Sequence, residues 1–207
     1  MTLNTPFHYQ LIEQKNYQRM PWKNGLGETL EIQRDDDEQG LRFRISQASV
    51  ADDGVFSDFS GLDRTLVLLT GNGMRLTHSN GHNERLEHSL KNPLDMARFT
   101  GGDRTYASLI KGPIEDLNIM VRAKDTIANV QAGFAPTSLT WSSRKALLNG
   151  FYANEDSIVG VQIEGNGDTE TLSLPAQSFI TFSAHPTECE CIQIISGSGV
   201  LIEITNR

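Results

Sequence analysis

The chain has 207 residues, a formal net charge of −8 and 38% hydrophobic residues, values typical of one large globular domain or two small ones. Its 18 basic residues are scattered, so we expect no nucleic-acid partner, because phosphate backbones require clustered positive charge. No apolar run approaches the roughly 20 residues of a membrane span or forms the core of a secretory signal, so we expect a cytoplasmic protein without a membrane partner.

Short strands with alternating polar and apolar residues dominate the sequence. We expect strands at residues 30–34, 42–46, 65–69, 117–121, 157–163, 178–182, 191–195 and 200–204. Glycine-containing turn signals separate them, among them Asn80-Gly81 and Asn149-Gly150. Helical turns are expected only near residues 6–9 and 113–116. Many short strands with frequent turns are typical of β-sandwiches and barrels, so the sequence predicts an all-β fold with little helix.

The most informative segment near the N-terminus, residues 21–29, reads Pro-Trp-Lys-Asn-Gly-Leu-Gly-Glu-Thr. It places an aromatic ring, a cation, an amide and two glycines just before a predicted strand. Lys23, Asn24 and the nearby backbone amides are suited to an anionic or amide-bearing ligand. The alternative is structural: Trp22 closes one end of a barrel and the glycines turn the chain. The residue pattern leaves both interpretations open.

A second candidate segment is the loop at residues 53–65, which is rich in aromatic, hydroxyl and charged side chains. Asp63 and Arg64 lie at its end, and both are candidates for a functional role. An adjacent Asp–Arg pair is more often a structural clamp, however, and this is the interpretation that we favour from the residues alone.

Two segments of the chain repeat one pattern. Residues 66–76 and residues 192–202 each contain an apolar strand, a Ser/Thr-Gly-x-Gly turn and a second strand. This repeat favours two similar β units, which we place at residues 1–125 and 126–207, packed tightly together and with strands exchanged between them as an option. Residues 80–86 also resemble residues 166–172, but the spacing between these two segments differs from that of the first pair. Both alignments cannot mark one duplication, so a true duplication is left open.

Four histidines raise the question of a metal site: His78, His82, His88 and His185. Metal centres in β-barrels usually take two histidines spaced i, i+2 on one strand face, and no His-x-His occurs here. A two-residue turn at Asn80-Gly81 would pair Ser79 with His82 and place His78 and His82 on opposite faces. We therefore predict a solvated hairpin without bound metal.

The strand that follows Gly112-Pro113 alternates in polarity. Asp116, Asn118, Met120 and Arg122 share one face, and apolar residues occupy the other. Such a strand has one wet side. The sequence does not decide whether that side faces solvent or a polar pocket.

Four segments, taken in this order, resemble the HutD/Ves family. They are Met-Pro-Trp-Lys-Asn-Gly-Leu-Gly-Glu-Thr at residues 20–29, Phe-Ser-Asp-Phe-Ser-Gly-Leu-Asp-Arg-Thr at 56–65, Phe-Thr-Gly at 99–101 and Gly-Pro-Ile-Glu-Asp-Leu-Asn-Ile-Met at 112–120. The resemblance covers most of residues 18–122. It implies a cupin-like double β-barrel, or bicupin, and a protein linked to histidine utilisation or stress responses without a settled enzymatic activity.

The resemblance further implies a metal-free and cofactor-free pocket for a small anionic or amide-bearing metabolite, such as urocanate or a formylated glutamate. The ligand-binding residues that it implies are Trp22, Lys23, Asn24, Thr29, Arg44, Ser46, Phe59, Asp63, Arg64, Asp116, Asn118 and Met120. In this arrangement Lys23 or Arg44 pairs with a carboxylate. Asn24 and Asn118 orient it, and an aromatic ring covers its apolar part.

Three functions are compatible with these residues. The favoured one is a non-enzymatic protein that binds or senses a metabolite. The first alternative is a metal-dependent cupin enzyme, an isomerase or dioxygenase, that uses the His78, His82 and His88 hairpin. The second is a metal-free enzyme with Asp63 or Asp116 as general base, which requires a raised pKa in a dry pocket. A homodimer through the strands at residues 191–195 and 200–204 is a further option.

Overall fold

The computed structural model describes residues 9–22, 27–80, 85–141, 146–163, 169–182 and 189–207. These residues form β-strands and one 3-10 turn at Gln14–Asn16, so the predicted all-β class is confirmed. Across the described ranges, no helix combines the length and the apolar character that crossing a membrane requires.

The strands are numbered in chain order. They are β1 (Tyr9–Ile12), β2 (Gln18–Pro21), β3 (Glu28–Asp37), β4 (Gly40–Val50), β5 (Gly54–Val55), β6 (Leu62–Thr70), β7 (Met74–Ser79), β8 (Arg85–Leu90), β9 (Met96–Thr100), β10 (Arg104–Leu109), β11 (Ile114–Arg122), β12 (Thr126–Phe134), β13 (Thr137–Thr140), β14 (Leu148–Ala153), β15 (Ser157–Ile163), β16 (Thr169–Leu174), β17 (Phe179–Phe182), β18 (Cys189–Ser196) and β19 (Ser198–Asn206).

The chain divides into two compact units. The first, here called the motif unit, comprises Tyr17–Ala128 with Arg207, and the second, the C-terminal unit, comprises Met1–Asn16 with Asn129–Asn206. The N-terminal strand β1 belongs to the C-terminal unit, because it pairs antiparallel with β17, with Tyr9 opposite Phe182. An exchange of strands between the two predicted units was left open by the sequence.

The motif unit is built from two sheets. Their strand orders are β2-β3-β4-β11-β6-β9 and β5-β10-β7-β8. One apolar core draws on both sheets: Val50, Leu66, Leu68, Met74, Leu76, Leu90, Ala97, Phe99, Ala107 and Ile114. Alternate residues of these strands are therefore buried between the sheets, and polar residues on the same faces are buried with them.

The C-terminal unit repeats this plan with the orders β1-β17-β14-β19-β12 and β13-β18-β15-β16. Its core likewise combines residues of both sheets, such as Phe151 and Ile180 from one and Val159 and Ile192 from the other. Each unit is thus a two-layered β structure with its own core.

The repeated Ser/Thr-Gly-x-Gly segments have the same role in both units. Gly71 follows β6 with φ +98°, and Gly197 follows β18 with φ +86°. In each unit the strand before this turn and the strand after it belong to different sheets. The repeated sequence pattern therefore marks a point where the chain crosses from one sheet to the other.

Two local predictions are wrong. Asn149-Gly150 lies inside β14 and not in a turn. A Cβ at Gly150 would lie 2.4 Å from the ring of Phe179, so this glycine allows a ring to pack closely against the strand. The helical turn expected at residues 113–116 is extended, because Ile114 begins β11. Residues 6–8 of the other expected turn lie outside the described residues, and Tyr9 begins β1.

The crossing at Gly71 yields a test of the fold. A Cβ here would lie 2.7 Å from the carbonyl oxygen of Pro113, whereas a Cβ at Gly40, which also has positive φ, meets nothing within 4 Å. We expect Gly40→Ala to lower the free energy of unfolding by about 1–2 kcal/mol through backbone strain alone. Gly71→Ala should lower it by about 1–3 kcal/mol more, because of the clash. Urea unfolding of both variants measures the difference, and equal losses would contradict the assigned crossing.

Candidate functional site

A cavity of about 770 Å³ opens in the motif unit. Its walls come from β2, β3, β4, β6, β10 and β11 and from the segment at residues 51–59. Its volume is typical of sites that enclose a small metabolite. The structure brings nine of the predicted ligand-binding residues to this cavity: Trp22, Thr29, Arg44, Ser46, Phe59, Arg64, Asp116, Asn118 and Met120.

The strand pairing explains why these residues converge. β11 lies between β4 and β6, with Asn118 opposite Ser46 and Met120 opposite both Arg44 and Arg64. Because side chains alternate along a strand, residues of equal register on the three strands share one face. The wet side of the strand at residues 116–120 is therefore a wall of the cavity and not an outer surface.

Arg64 is the central charged residue of the site. Its side chain is 5% exposed, and its Nη2 donates a hydrogen bond of 2.5 Å to Asn118 Oδ1. The guanidinium carbon lies 5.0–5.2 Å from the ring centroids of Phe56, Phe59 and Phe99. These distances allow cation–π attraction to all three rings. Within the described ranges, nothing accepts a hydrogen bond from Arg64 Nε.

Asp116 is fully buried beside this cation. Asn118 donates a hydrogen bond from Nδ2 to Asp116 Oδ1, so the Asn118 amide joins Asp116 to Arg64. Burial raises the pKa of Asp116 to about 7, although the charge of Arg64 and the bond from Asn118 act in the opposite direction. Burial also lowers the pKa of Arg64 to about 10, which leaves it charged at neutral pH.

Arg44, the second cation of the cavity wall, already has an anionic partner. Its Nε lies 2.7 Å from Glu31 Oε2, and its Nη2 donates to the sulfur of Met20 at 3.3 Å. Glu31 and Arg44 are both largely buried, so their opposite charges compensate each other in place. Arg44 Nε, like Arg64 Nε, has no acceptor in hydrogen-bond geometry among the described residues, but the charge of Arg44 is already compensated by Glu31. Of the two arginines, Arg64 therefore has the greater capacity for a new anion.

Trp22 forms part of the cavity wall. Its indole Nε1 donates to Thr29 Oγ1 at 2.9 Å, and its backbone amide donates to Gly27 O at 2.9 Å. The ring is therefore held in place at the cavity wall, where an apolar part of a ligand can contact it. The predicted residues Lys23 and Asn24 lie outside the described residues.

Asp63 is not brought to the cavity. It precedes Arg64 on β6, so its side chain points to the other face of the sheet, where its carboxylate lies 3.4 Å from Arg207. The interpretation of Asp63 and Arg64 as a mutual clamp is therefore wrong, because consecutive strand residues cannot face each other.

Phe56 and Phe99 are site residues that the sequence analysis did not assign. Phe99 lies opposite Arg64 in the pairing of β6 with β9, and Phe56 comes from the loop that ends at β6. The motif Phe-Thr-Gly at residues 99–101 drew attention to Phe99. It does not show which strand residue lies opposite Phe99, so the contact with Arg64 could not be predicted from it. Asp52 and Asp53 also line the cavity and are exposed.

The histidine hairpin differs from the prediction. Ser79 pairs with Arg85 and not with His82, so His78 and His88 project from the same face. His78 is 2% exposed, which makes the predicted solvated hairpin wrong for this residue. In the described part of the chain no three His, Cys, Asp or Glu residues cluster as metal ligands. His82 and His185 lie outside the described residues.

His78 contacts the site indirectly, through the ring of Phe99. Its Nδ1 lies 2.9 Å from Thr105 Oγ1 and its Nε2 lies 3.0 Å from His88 Nδ1. Its ring centroid lies 4.4 Å from that of Phe99, whose ring in turn contacts Arg64. Burial, followed by the charge of His88, lowers the pKa of His78 to about 4. His78 is therefore neutral in the folded protein near pH 7.

This neutral histidine predicts a pH-dependent stability. In the unfolded chain His78 binds a proton below about pH 6.5, the ordinary pKa of histidine. In the folded protein it binds this proton only below about pH 4. The stability that His78 contributes is therefore present above pH 6.5 and is lost as the pH falls toward 4. We expect the free energies of unfolding of the wild type and His78→Gln to differ more at pH 7 than at pH 4.5. Urea titrations at both pH values test this, and a constant difference would argue against it.

Comparison with known proteins places this chain in a family. The sequence profile of the HutD family matches residues 14–202. A Pseudomonas putida protein described as "Uncharacterized 21.2 kDa protein in hutC 3'region" is 36% identical over 141 residues, which cover 67% of this chain and 71% of the relative. Protein Ves of Escherichia fergusonii is 33% identical over 147 residues, which cover 66% and 71%.

Solved structures agree with this result. HutD from Pseudomonas fluorescens SBW25, described as a formate condition, has a TM-score of 0.77 and 28% identity and covers 97% of this chain and 100% of its own. A conserved protein of unknown function from Pseudomonas aeruginosa PAO1 has the same TM-score at 25% identity, with coverage of 96% and 99%. A Bacillus subtilis oxalate decarboxylase variant has a TM-score of 0.61 at 7% identity, covering 94% and 76%. That likeness concerns the fold alone, and it confirms the predicted cupin-like architecture.

Proposed function

The chain belongs to the HutD family, and we propose that it is a non-enzymatic binding protein for a small carboxylate metabolite, which it holds against Arg64. The observation that carries this proposal is the buried guanidinium at the cavity, whose Nε has no acceptor among the described residues. The planar donors of arginine match a carboxylate or a phosphate, and the acids named below carry the carboxylate that we propose.

The burial of Arg64 favours the binding of an anion. A buried donor without a partner is costly, and an incoming carboxylate removes that cost by accepting the hydrogen bond. Each charge-assisted hydrogen bond contributes about 1.5–3 kcal/mol. Two or three of them, with an apolar part stacked on Trp22 or Phe59, would support micromolar binding, about −8 kcal/mol.

The names of relatives suggest which carboxylates to test. The Pseudomonas putida relative is described by its position beside hutC, and the Pseudomonas fluorescens HutD structure is described by a formate condition. We propose that the ligand of this chain is an acid linked to histidine utilisation. Urocanate, N-formylglutamate and formate each offer a carboxylate of the required kind.

Isothermal titration calorimetry with these three acids tests the proposal. We expect one of them to bind the wild type with micromolar affinity, and Arg64→Met to bind it at least about tenfold more weakly. Arg75→Met is the matched control, since Arg75 is exposed on β7 and does not line the cavity. Unchanged affinity in a folded Arg64→Met variant, or no heat from any of the acids, would refute the proposal.

A second candidate function is metal-free proton transfer by Asp116. The observation that favours it is the raised pKa of Asp116, about 7, at a buried position in the cavity. A carboxyl group with such a pKa can accept and return a proton near neutral pH. Asp63, the other acid considered for this role, is half-exposed and does not line the cavity.

Proton NMR of long incubations with each acid tests this candidate. Catalysis requires product to form with the wild type and its formation to fall by at least about a hundredfold in Asp116→Asn. A bound acid that stays chemically unchanged for days with the wild type would exclude catalysis of that acid and favour the binding function.

A further inference from the structure

Asp116 and the expected ligand compete for the same cation. The side-chain amide of Asn118 is hydrogen-bonded to both groups. Its Nδ2 donates to Asp116 Oδ1, and its Oδ1 accepts from Arg64 Nη2. Asp116 is 1% exposed and also lines the cavity. A carboxylate bound at Arg64 would therefore occupy the same cavity as the carboxyl group of Asp116, with the Asn118 amide as their common neighbour.

The charges that face Asp116 leave Arg64 as its principal counter-charge. Arg64 approaches from β6, whereas the cation on β4, Arg44, is paired with Glu31 of β3. Glu115, the neighbour of Asp116 on β11, adds a negative charge. Two further acids that line the cavity, Asp52 and Asp53, are exposed to solvent. A bound anion would thus add a second carboxylate to a site where Arg64, unlike Arg44, is not already paired with a glutamate.

We propose that this site takes up its carboxylate ligand together with one proton, which binds to Asp116. The protonated carboxyl group then donates a hydrogen bond to the bound carboxylate, and the ligand replaces Asp116 as the anion opposite Arg64. The inference rests on the proposed function and deepens it: Asp116 is a ligand-binding residue that acts as a donor, and the bound group is an ionised carboxylate that can accept from Asp116 and Arg64 at once.

Elementary electrostatics supports this arrangement. Two ionised carboxylates in one buried site repel each other, and such pairs in proteins hold one proton between them. The proton is easily supplied at neutral pH, because burial has already brought the pKa of Asp116 to about 7 before any ligand is bound. An exposed aspartate would have to be protonated far above its ordinary pKa of 3.8.

Proton uptake gives the affinity a defined pH dependence. Ligand binding raises the pKa of Asp116, so the complex holds a proton that the free protein loses above about pH 7. The dissociation constant should therefore rise with pH between 7 and 9, by up to about tenfold per pH unit, and be nearly constant below pH 6.

Calorimetry with formate and N-formylglutamate tests the inference, since both stay ionised between pH 7 and 9. Titrations at pH 8 in HEPES and in Tris, whose ionisation enthalpies differ, should report the uptake of about one proton per ligand by the wild type. Asp116→Asn, whose side chain is a permanent neutral donor, should take up no proton and should bind with the same affinity at pH 7 and 9. Asp63→Asn is the matched control, and it should behave as the wild type.

The outcomes separate this inference from the proposed function. Binding that depends on Arg64 but shows no proton uptake and no change between pH 7 and 9 would overturn the inference and leave the proposed function standing. Failure of every acid to bind would overturn both. The comparison of buffers with the wild type shows whether a proton is taken up on binding, even if Asp116→Asn does not fold.

Discussion

A buried guanidinium with an open hydrogen-bond donor is the feature on which the site depends. Arg64 is enclosed by three phenylalanine rings and fixed by one amide oxygen, so its position is set before any ligand arrives. Its charge is balanced only in part, because the neighbouring acid, Asp116, has a pKa near neutrality. Such a group is costly in a protein interior unless an anion completes its surroundings.

The fold provides this arrangement through strand register. β4, β11 and β6 lie side by side, and their alternation buries Arg44, Asn118 and Arg64 on one face of the six-stranded sheet. The opposing sheet supports the same site indirectly, because His78 packs on Phe99 and Phe99 packs on Arg64. The site is thus carried mainly by strands and their core, which suits precise placement of a small ligand.

Part of the fold and part of the site could be predicted from the sequence. Alternation alone placed Asp116, Asn118 and Met120 on one face, and the repeated Gly-containing turns indicated two similar units. The role of the aromatic rings could not be predicted, since it depends on which strands become neighbours. The turn prediction at Asn149-Gly150 failed because glycine also permits close packing of a ring. The location in the cytoplasm, the link to stress responses and the homodimer stay predictions.

The most direct test of the account observes the Arg64 Nε–H group itself. In ¹⁵N-labelled protein this group gives a side-chain resonance that Arg64→Lys removes, which assigns it. We expect a saturating carboxylate ligand to move the Hε resonance strongly downfield, as a new hydrogen bond to an anion requires. A resonance that stays in place while other signals report a bound ligand would contradict the claim that Arg64 Nε receives the carboxylate.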